Sequence, residues 1–261
     1  MNILGISFKT LRIFILAVIL FIVGMSALAT RLHTTDWDLP LWVVIYPING
    51  DGSQTSSDYI NSLDDYDFES ISDFMAQEAE DYELHLANPV SINLAPEIME
   101  IPPKPPQKRN LFNVMWWSLN LRYWAYKYDT YEGPSPDIRL FLVYYDPDTH
   151  KVLDHSLGLQ KGLIGIVNVF ADRMSRVTNN VVITHELLHT VGATDKYDFA
   201  TSHPVHPDGY AEPDKEPLFP QRFAEIMGGR MPLSETESEI PASLDEVIIG
   251  YKTGQEIRWI K

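Results

Sequence analysis

The chain of 261 residues contains no cysteine. This excludes disulfides, thiol catalysis and a cysteine-ligated zinc site, and it suits an exported protein without identifying the compartment. Basic residues are missing from one long stretch. After Arg31 no Lys or Arg occurs until Lys104, whereas Leu32 to Pro103 holds 15 Asp or Glu, so nearly all of the net charge of −16 sits there. A chain this acidic lacks the basic footprint that nucleic acid demands, and anionic lipid headgroups repel it beyond any anchor. The stretch reads as a solvated face rather than a calcium site or a selector of basic substrates. There are no internal repeats.

What is present begins with an apolar run. Ile13 to Ala29 is apolar or small and uncharged, and Lys9 and Arg12 precede it. Its length is at the short limit for spanning a bilayer, roughly 17 residues. Ala27-Leu28-Ala29 also has the small-x-small form of a signal-peptide cleavage site. Residues 1–31 are therefore expected to be a membrane anchor or a signal peptide. The positive charge before the run places residues 32–261 outside the cytoplasm, tethered if the segment is retained and secreted if it is cut after Ala29.

About 230 residues remain, enough for one domain with a cleft or for two small lobes. The acidic part, 32–103, is not disordered in pattern. Leu41 to Tyr46 reads as a strand ended by Pro47. Ser70 to Leu86 reads as an amphipathic helix with Ser70 and Asp73 as a capping box, and Val90 to Leu94 as a second strand. Pro102 to Pro106 is a stiff connector. In the next part, 104–195, Asn110 to Tyr128 has the spacing of a helix with Leu111, Met115, Leu119, Tyr123 and Tyr126 on one face and Trp116, Trp117 and Trp124 widening it. That face is expected to be buried on a sheet rather than to form a membrane-interface or ligand-binding aromatic patch. Ile138 to Tyr145 is a clear strand, Val152 to Leu157 a weaker one, and Leu163 to Phe170 a third, interrupted by Gly165 and Asn168.

The chemistry is concentrated between Thr178 and Asp198. His185, Glu186 and His189 form H-E-x-x-H, and on a helix residues four apart share a face, so the two imidazoles can meet one zinc ion. Glu186 then sits at the edge of that face, where it can hold a water without being a ligand. A catalytic zinc keeps one position open and needs a third protein group. Gly192 can enter the left-handed conformation that ends a helix and bring Asp195 back under the metal. Thr178, Asn179 and Asn180 are N-cap types, and Val181, Val182, Leu187, Leu188 and Val191 give the helix an apolar body.

In the last part, 196–261, Lys196 to Arg222 is expected to be an ordered loop around the cleft. Asp198, His203 and His206 compete with Asp195 as ligands, and the Gly-x-x-Asp spacing favours Asp195. Asp208, Glu212 and Asp214 are candidates for Ca2+ but match no loop of defined ligand spacing, so solvated acids are the expected reading. Ser243 to Thr253 reads as a C-terminal helix stopped by Gly254.

H-E-L-L-H-T-V-G-A-T-D resembles the long zinc signature of the metzincin peptidases in its snapalysin-like variant, with Asp as third ligand. Ala224-Glu225-Ile226-Met227-Gly228-Gly229 resembles the Met-containing turn of that family. Beyond these two motifs the resemblance assigns nothing. No Tyr stands two residues after Met227, so the tyrosine ligand of some metzincins is not expected. The resemblance implies an α+β fold with a mixed sheet, an active-site helix and a C-terminal subdomain carrying the Met-turn. It also implies an edge strand that pairs with an extended peptide. The implied activity is that of a metalloendopeptidase with one Zn2+ on His185, His189 and Asp195 and with Glu186 as general base. Two other readings are a non-catalytic surface or assembly protein stabilised by zinc, and a zinc amidase acting on a cell-wall-type substrate.

Overall fold

The computed structural model describes residues 9–18, 21, 25, 36–108, 110–160 and 162–260. Residues 9–18 are helical (α1) and exposed. Most of the apolar run beyond residue 18, and the Ala27-Leu28-Ala29 sequence, lie outside the described residues. Among the described residues no helix is long and apolar enough to cross a membrane.

The remaining elements make a mixed α/β fold around a five-stranded sheet of order β2-β1-β3-β5-β4. In chain order they begin with β1 (Leu41–Asn49), α2 (Gln54–Asn61), a 3₁₀ turn (Asp65–Phe68), α3 (Glu69–Asp81), β2 (Val90–Leu94) and α4 (Leu111–Lys127). Then come β3 (Ile138–Tyr145), β4 (Leu157–Leu159), β5 (Ile164–Phe170) and α5 (Arg176–Val191). Strands β1, β2, β3 and β5 run parallel, and only the edge strand β4 is antiparallel. The sheet is thus mixed, as the resemblance implies. Its parallel connections through helices make the architecture α/β in character rather than the expected α+β.

Burial on both faces explains the nearly continuous apolar runs of β1 and β3. Val43, Ile45, Leu140 and Leu142 point into a core shared with α3 and α5, and Val44, Tyr46, Phe141 and Val143 into a second core under α4. Pro47 does not end β1 as expected. The strand continues to Asn49 because the Pro47 carbonyl accepts from Ile98, on the side where β2 has already stopped at Leu94. The missing N–H of Pro47 faces that same vacated side, so no ladder bond is lost.

Several expected boundaries move. Helix α3 ends at Asp81 rather than near Leu86, because Glu83 takes a positive φ of 54°. The capping box is formed six residues earlier, by Asp64 with Asp67 on the 3₁₀ turn, and not by Ser70 with Asp73. Strand β4 covers only Leu157–Leu159, while Val152 is exposed. Gly165 and Asn168 do not interrupt β5: a Cβ at Gly165 would stand 2.6 Å from Leu140 Cδ2, and the Asn168 amide donates to the carbonyls of Asp154 and His155.

Helix α4 forms where the spacing predicts, with Asn110 as its cap. Its buried face is not the predicted one. Leu121, Trp124 and Ala125 dock on the sheet, and Leu111, Met115, Leu119, Tyr123 and Tyr126 are exposed. An almost wholly apolar helix has little amphipathic asymmetry, so its periodicity could not decide which stripe would meet the core.

After α5 come short pieces: β6 (Ala224–Glu225), β7 (Met231–Pro232), β8 (Ser238–Glu239), a 3₁₀ turn (Leu244–Glu246), β9 (Val247–Ile248) and α6 (Tyr251–Glu256). The helix expected over Ser243 to Thr253 is therefore two short turns separated by a strand. Gly254 lies inside α6, where a Cβ would press on the Tyr82 ring at 3.2 Å. The folded ends meet: Trp37 Nε1 donates to the Ile257 carbonyl at 2.7 Å, and the Trp37 and Trp259 rings lie edge to face.

Candidate metal centre

Helix α5 begins at Arg176, so the residues expected to cap it lie within its first turns. They moor the helix instead. The Asn179 amide donates to the Phe170 carbonyl of β5, and the Asn180 amide donates to the Asp67 carbonyl and the Ser70 hydroxyl. Val181, Ile183, Leu187, Leu188 and Val191 bury the other side of α5 in the core, which fixes the direction of His185 and His189.

Gly192 caps α5 in the left-handed conformation with φ of 119°, as the sequence predicts. Its N–H donates to the carbonyls of Leu188 and His189, and the chain reverses towards the helix. Asp195 Oδ1 then stands 3.1 Å from Nε2 of His185 and 3.1 Å from Nε2 of His189. Among the described residues this is the one group of three or more such side chains whose ligand atoms converge. Asp198, His203 and His206 are not part of it. Asp198 accepts from Ala200 and Thr201 in a local turn, and His206 Nε2 lies by the Pro213 carbonyl. Asp208, Glu212 and Asp214 do not converge either, and Glu212 is paired with Arg222.

The protonation pattern shows what the group is suited to hold. Nδ1 of His185 is 2.8 Å from the Ile226 carbonyl, and Nδ1 of His189 is 2.8 Å from the Ala193 carbonyl. A carbonyl only accepts, so each Nδ1 carries a proton, and each Nε2 is turned to the Asp195 carboxylate. Three electron-rich atoms in contact require a proton or a cation among them. Ligands about 2.0–2.1 Å from one tetrahedral ion stand about 3.3 Å apart, close to the observed spacing. Without an ion, protons take that role. Burial lowers the His189 pKa, but the bonds to Asp195 and Ala193 outweigh it and raise the group overall. Burial alone would raise Asp195, and the two imidazoles hold it well below its ordinary value.

Glu186 sits beside this group and is not one of its members. It is 6% exposed, and its Oε2 has no hydrogen-bond partner. Burial raises its pKa, with His185 and His189 acting in the opposite direction. Gly158 of β4 lies directly over it: a Cβ there would be 2.4 Å from His189 Cβ and 2.6 Å from the Glu186 carbonyl oxygen. Only glycine lets the edge strand approach this closely.

Met227 is fully buried, and the turn that carries it closes through Gly228 and Gly229 N–H bonds to the Glu225 carbonyl. Its preceding carbonyl, Ile226, is the partner of His185. Glu225 locks the turn from inside, accepting from the N–H groups of Gly228 and Gly250 and from the Thr253 hydroxyl. Burial raises the Glu225 pKa against these bonds.

Sequence reasoning missed three participants. Glu256 accepts from the Thr194 N–H and hydroxyl and from Lys196, which itself donates to the Thr194 carbonyl, so α6 braces the ligand turn. No local pattern links residues 62 apart. Tyr197 interacts with Asp195, and its phenol is pushed up to about 12 by burial and then by the Asp195 and Glu186 carboxylates. Its place two residues after the third ligand was the available signal. Gly158 was the third. A cavity of ≈ 370 Å³ opens next to the ligand turn, lined by Asp195, Tyr197, His206 and Lys252 among others.

No family model matches the chain, and no curated protein matches it either.

Proposed function

We propose that the chain is a zinc-dependent metallopeptidase of metzincin-like character, exported and held near a membrane by its N-terminal segment. His185, His189 and Asp195 would hold the ion. Zinc bound there supplies Lewis acidity to a water and to the scissile carbonyl. Glu186 takes the proton of the attacking water on Oε2 and passes it to the leaving amine. Burial keeps this carboxylate basic enough to accept a proton, and the missing partner at Oε2 leaves the atom free for it. The Ile226 and Ala193 carbonyls hold the rings with Nε2 facing Asp195. Strand β4 is the sheet edge beside Glu186, and an edge strand suits an extended peptide laid along it.

The observation that carries this reading is Glu186. A site that serves only stability has no use for a buried carboxylate beside its ligands with one oxygen, Oε2, left without a protein partner, and it closes its fourth position with protein. The test is metal analysis of the purified chain together with cleavage of a peptide library. Zinc at one equivalent with peptide-bond cleavage supports the proposal. Zinc without cleavage supports a non-catalytic stabilising site, and cleavage confined to non-peptide amides supports an amidase.

A further inference from the structure

Helix α4 touches the sheet along a narrow line, Leu121, Trp124 and Ala125 with Trp117 partly buried beside them, and leaves most of its other apolar side chains uncovered. Leu111, Phe112, Met115, Trp116, Leu119 and Tyr123 have exposed fractions between 51% and 87%. They recur every three or four residues, so they form one continuous stripe about three turns long rather than scattered contacts.

The charge carried by this segment of the chain is opposite to that of the molecule. From Lys104 to Tyr128 the sequence carries Lys104, Lys108, Arg109, Arg122 and Lys127 and no Asp or Glu, in a chain with 36 acidic and 20 basic residues. Lys104, Lys108, Arg122 and Lys127 are exposed. Tryptophan and tyrosine beside lysine and arginine, on a helix lying flat on its domain, is the composition that settles at the headgroup level of a bilayer. Pairing of α4 with α4 of a second copy would set like charges against each other.

We propose that α4 is a membrane-docking helix whose exposed apolar stripe inserts among the headgroups of an anionic lipid surface. The general repulsion between this acidic chain and anionic lipid is locally reversed along α4. The sheet then stands between the bilayer and the metal centre, because α4 lies on one sheet face and α5 on the other. Docking this way presents the centre to substrates arriving from the water side.

The absence of native cysteine permits a direct test on the full chain. Single nitroxide labels are placed at Leu111→Cys, Leu119→Cys and Tyr123→Cys, with Met174→Cys, next to α5, as the water-side control. The chain is reconstituted in phosphatidylcholine vesicles with and without phosphatidylglycerol. With phosphatidylglycerol, the three α4 labels are expected to lose access to a water-soluble nickel chelate and gain access to oxygen, while the Met174 label stays in water. Adding Lys108→Glu and Lys127→Glu should return the α4 labels to water, with circular dichroism unchanged. Labels that remain in water in both vesicles overturn the proposal even if the chain is vesicle-bound. Protection that appears at Met174 as well, or that comes with dipolar broadening between copies, overturns it too, as does equal protection without phosphatidylglycerol. Glu186→Gln should dock like the parent, so failure of the peptidase reading leaves this readout intact.

Discussion

Nδ1 of His185 and the carbonyl oxygen of Ile226 lie 2.8 Å apart although 41 residues separate them in the chain. That bond sets the tautomer of the His185 ring, and the turn containing Met227 supplies it. The orientation of the ring therefore depends on the fold of the C-terminal part as much as on α5.

Asp195→Ala should lose most of the metal affinity, while His203→Ala and His206→Ala should bind metal like the parent. Outer groups support a site by roughly 10- to 100-fold, and loss of a direct ligand should exceed that. The measurement is titration with zinc against a chelator. Full affinity in the Asp195 variant, with loss in either His variant, would show the third ligand to be misassigned.

Glu186→Gln keeps the size of the side chain and removes its basicity. Peptide hydrolysis is expected to fall on the order of 10² to 10⁴ or more, with zinc content and thermal midpoint nearly unchanged. Comparable kcat/KM in the two proteins rules out the general-base role.

Gly158→Ala tests the close approach of β4 to α5. The added methyl meets the His189 Cβ and the Glu186 carbonyl well inside contact distance, and neither is a flexible tip. Displacement of the edge strand should cost about 1–3 kcal/mol in urea melts. A variant as stable as the parent would mean that β4 sits further from α5 than described.

Glu78 predicts an unusual pH response. It accepts from the Ile249 N–H at 2.5 Å, and burial pushes its pKa up to about 7, with Asp81 and Glu225 adding to the shift. A carboxyl group raised in the folded state adds stability that is full below its unfolded value and is lost as pH climbs through the folded one. Between pH 4.5 and 7 that loss is on the order of 2–3 kcal/mol. Glu225 acts in the same direction, so the comparison must be paired. The stability of Glu78→Gln relative to the parent should rise from pH 4.5 to 8. A constant difference across that range would contradict the burial-raised carboxyl.

The convergence of His185, His189 and Asp195 was legible in the sequence because it is local. His185 and His189 follow from one helical turn, and Asp195 follows from the reversal that Gly192 permits. Strands β1, β3 and β5 were legible for a different reason: both faces are buried, so their apolar runs are nearly unbroken. What escaped was set by contacts between distant residues. Asn179 and Asn180 look like caps by type, yet their amides serve β5 and the turn before α3. The exposed stripe of α4 escaped because every side of that helix is apolar, and the sheet fully buries only Leu121, Trp124 and Ala125.

The clasp between Trp37 and the Ile257 carbonyl joins residues 220 apart. During synthesis the strands of the sheet and α5 leave the ribosome well before residue 257, but this bond must wait for it. The entrance to β1 is thus sealed late, by residues 257–259, and Trp259 packs against Trp37 and Tyr82 as it arrives. A chain halted before residue 257 would be a nascent domain whose sheet can pair but whose first strand stays unlatched.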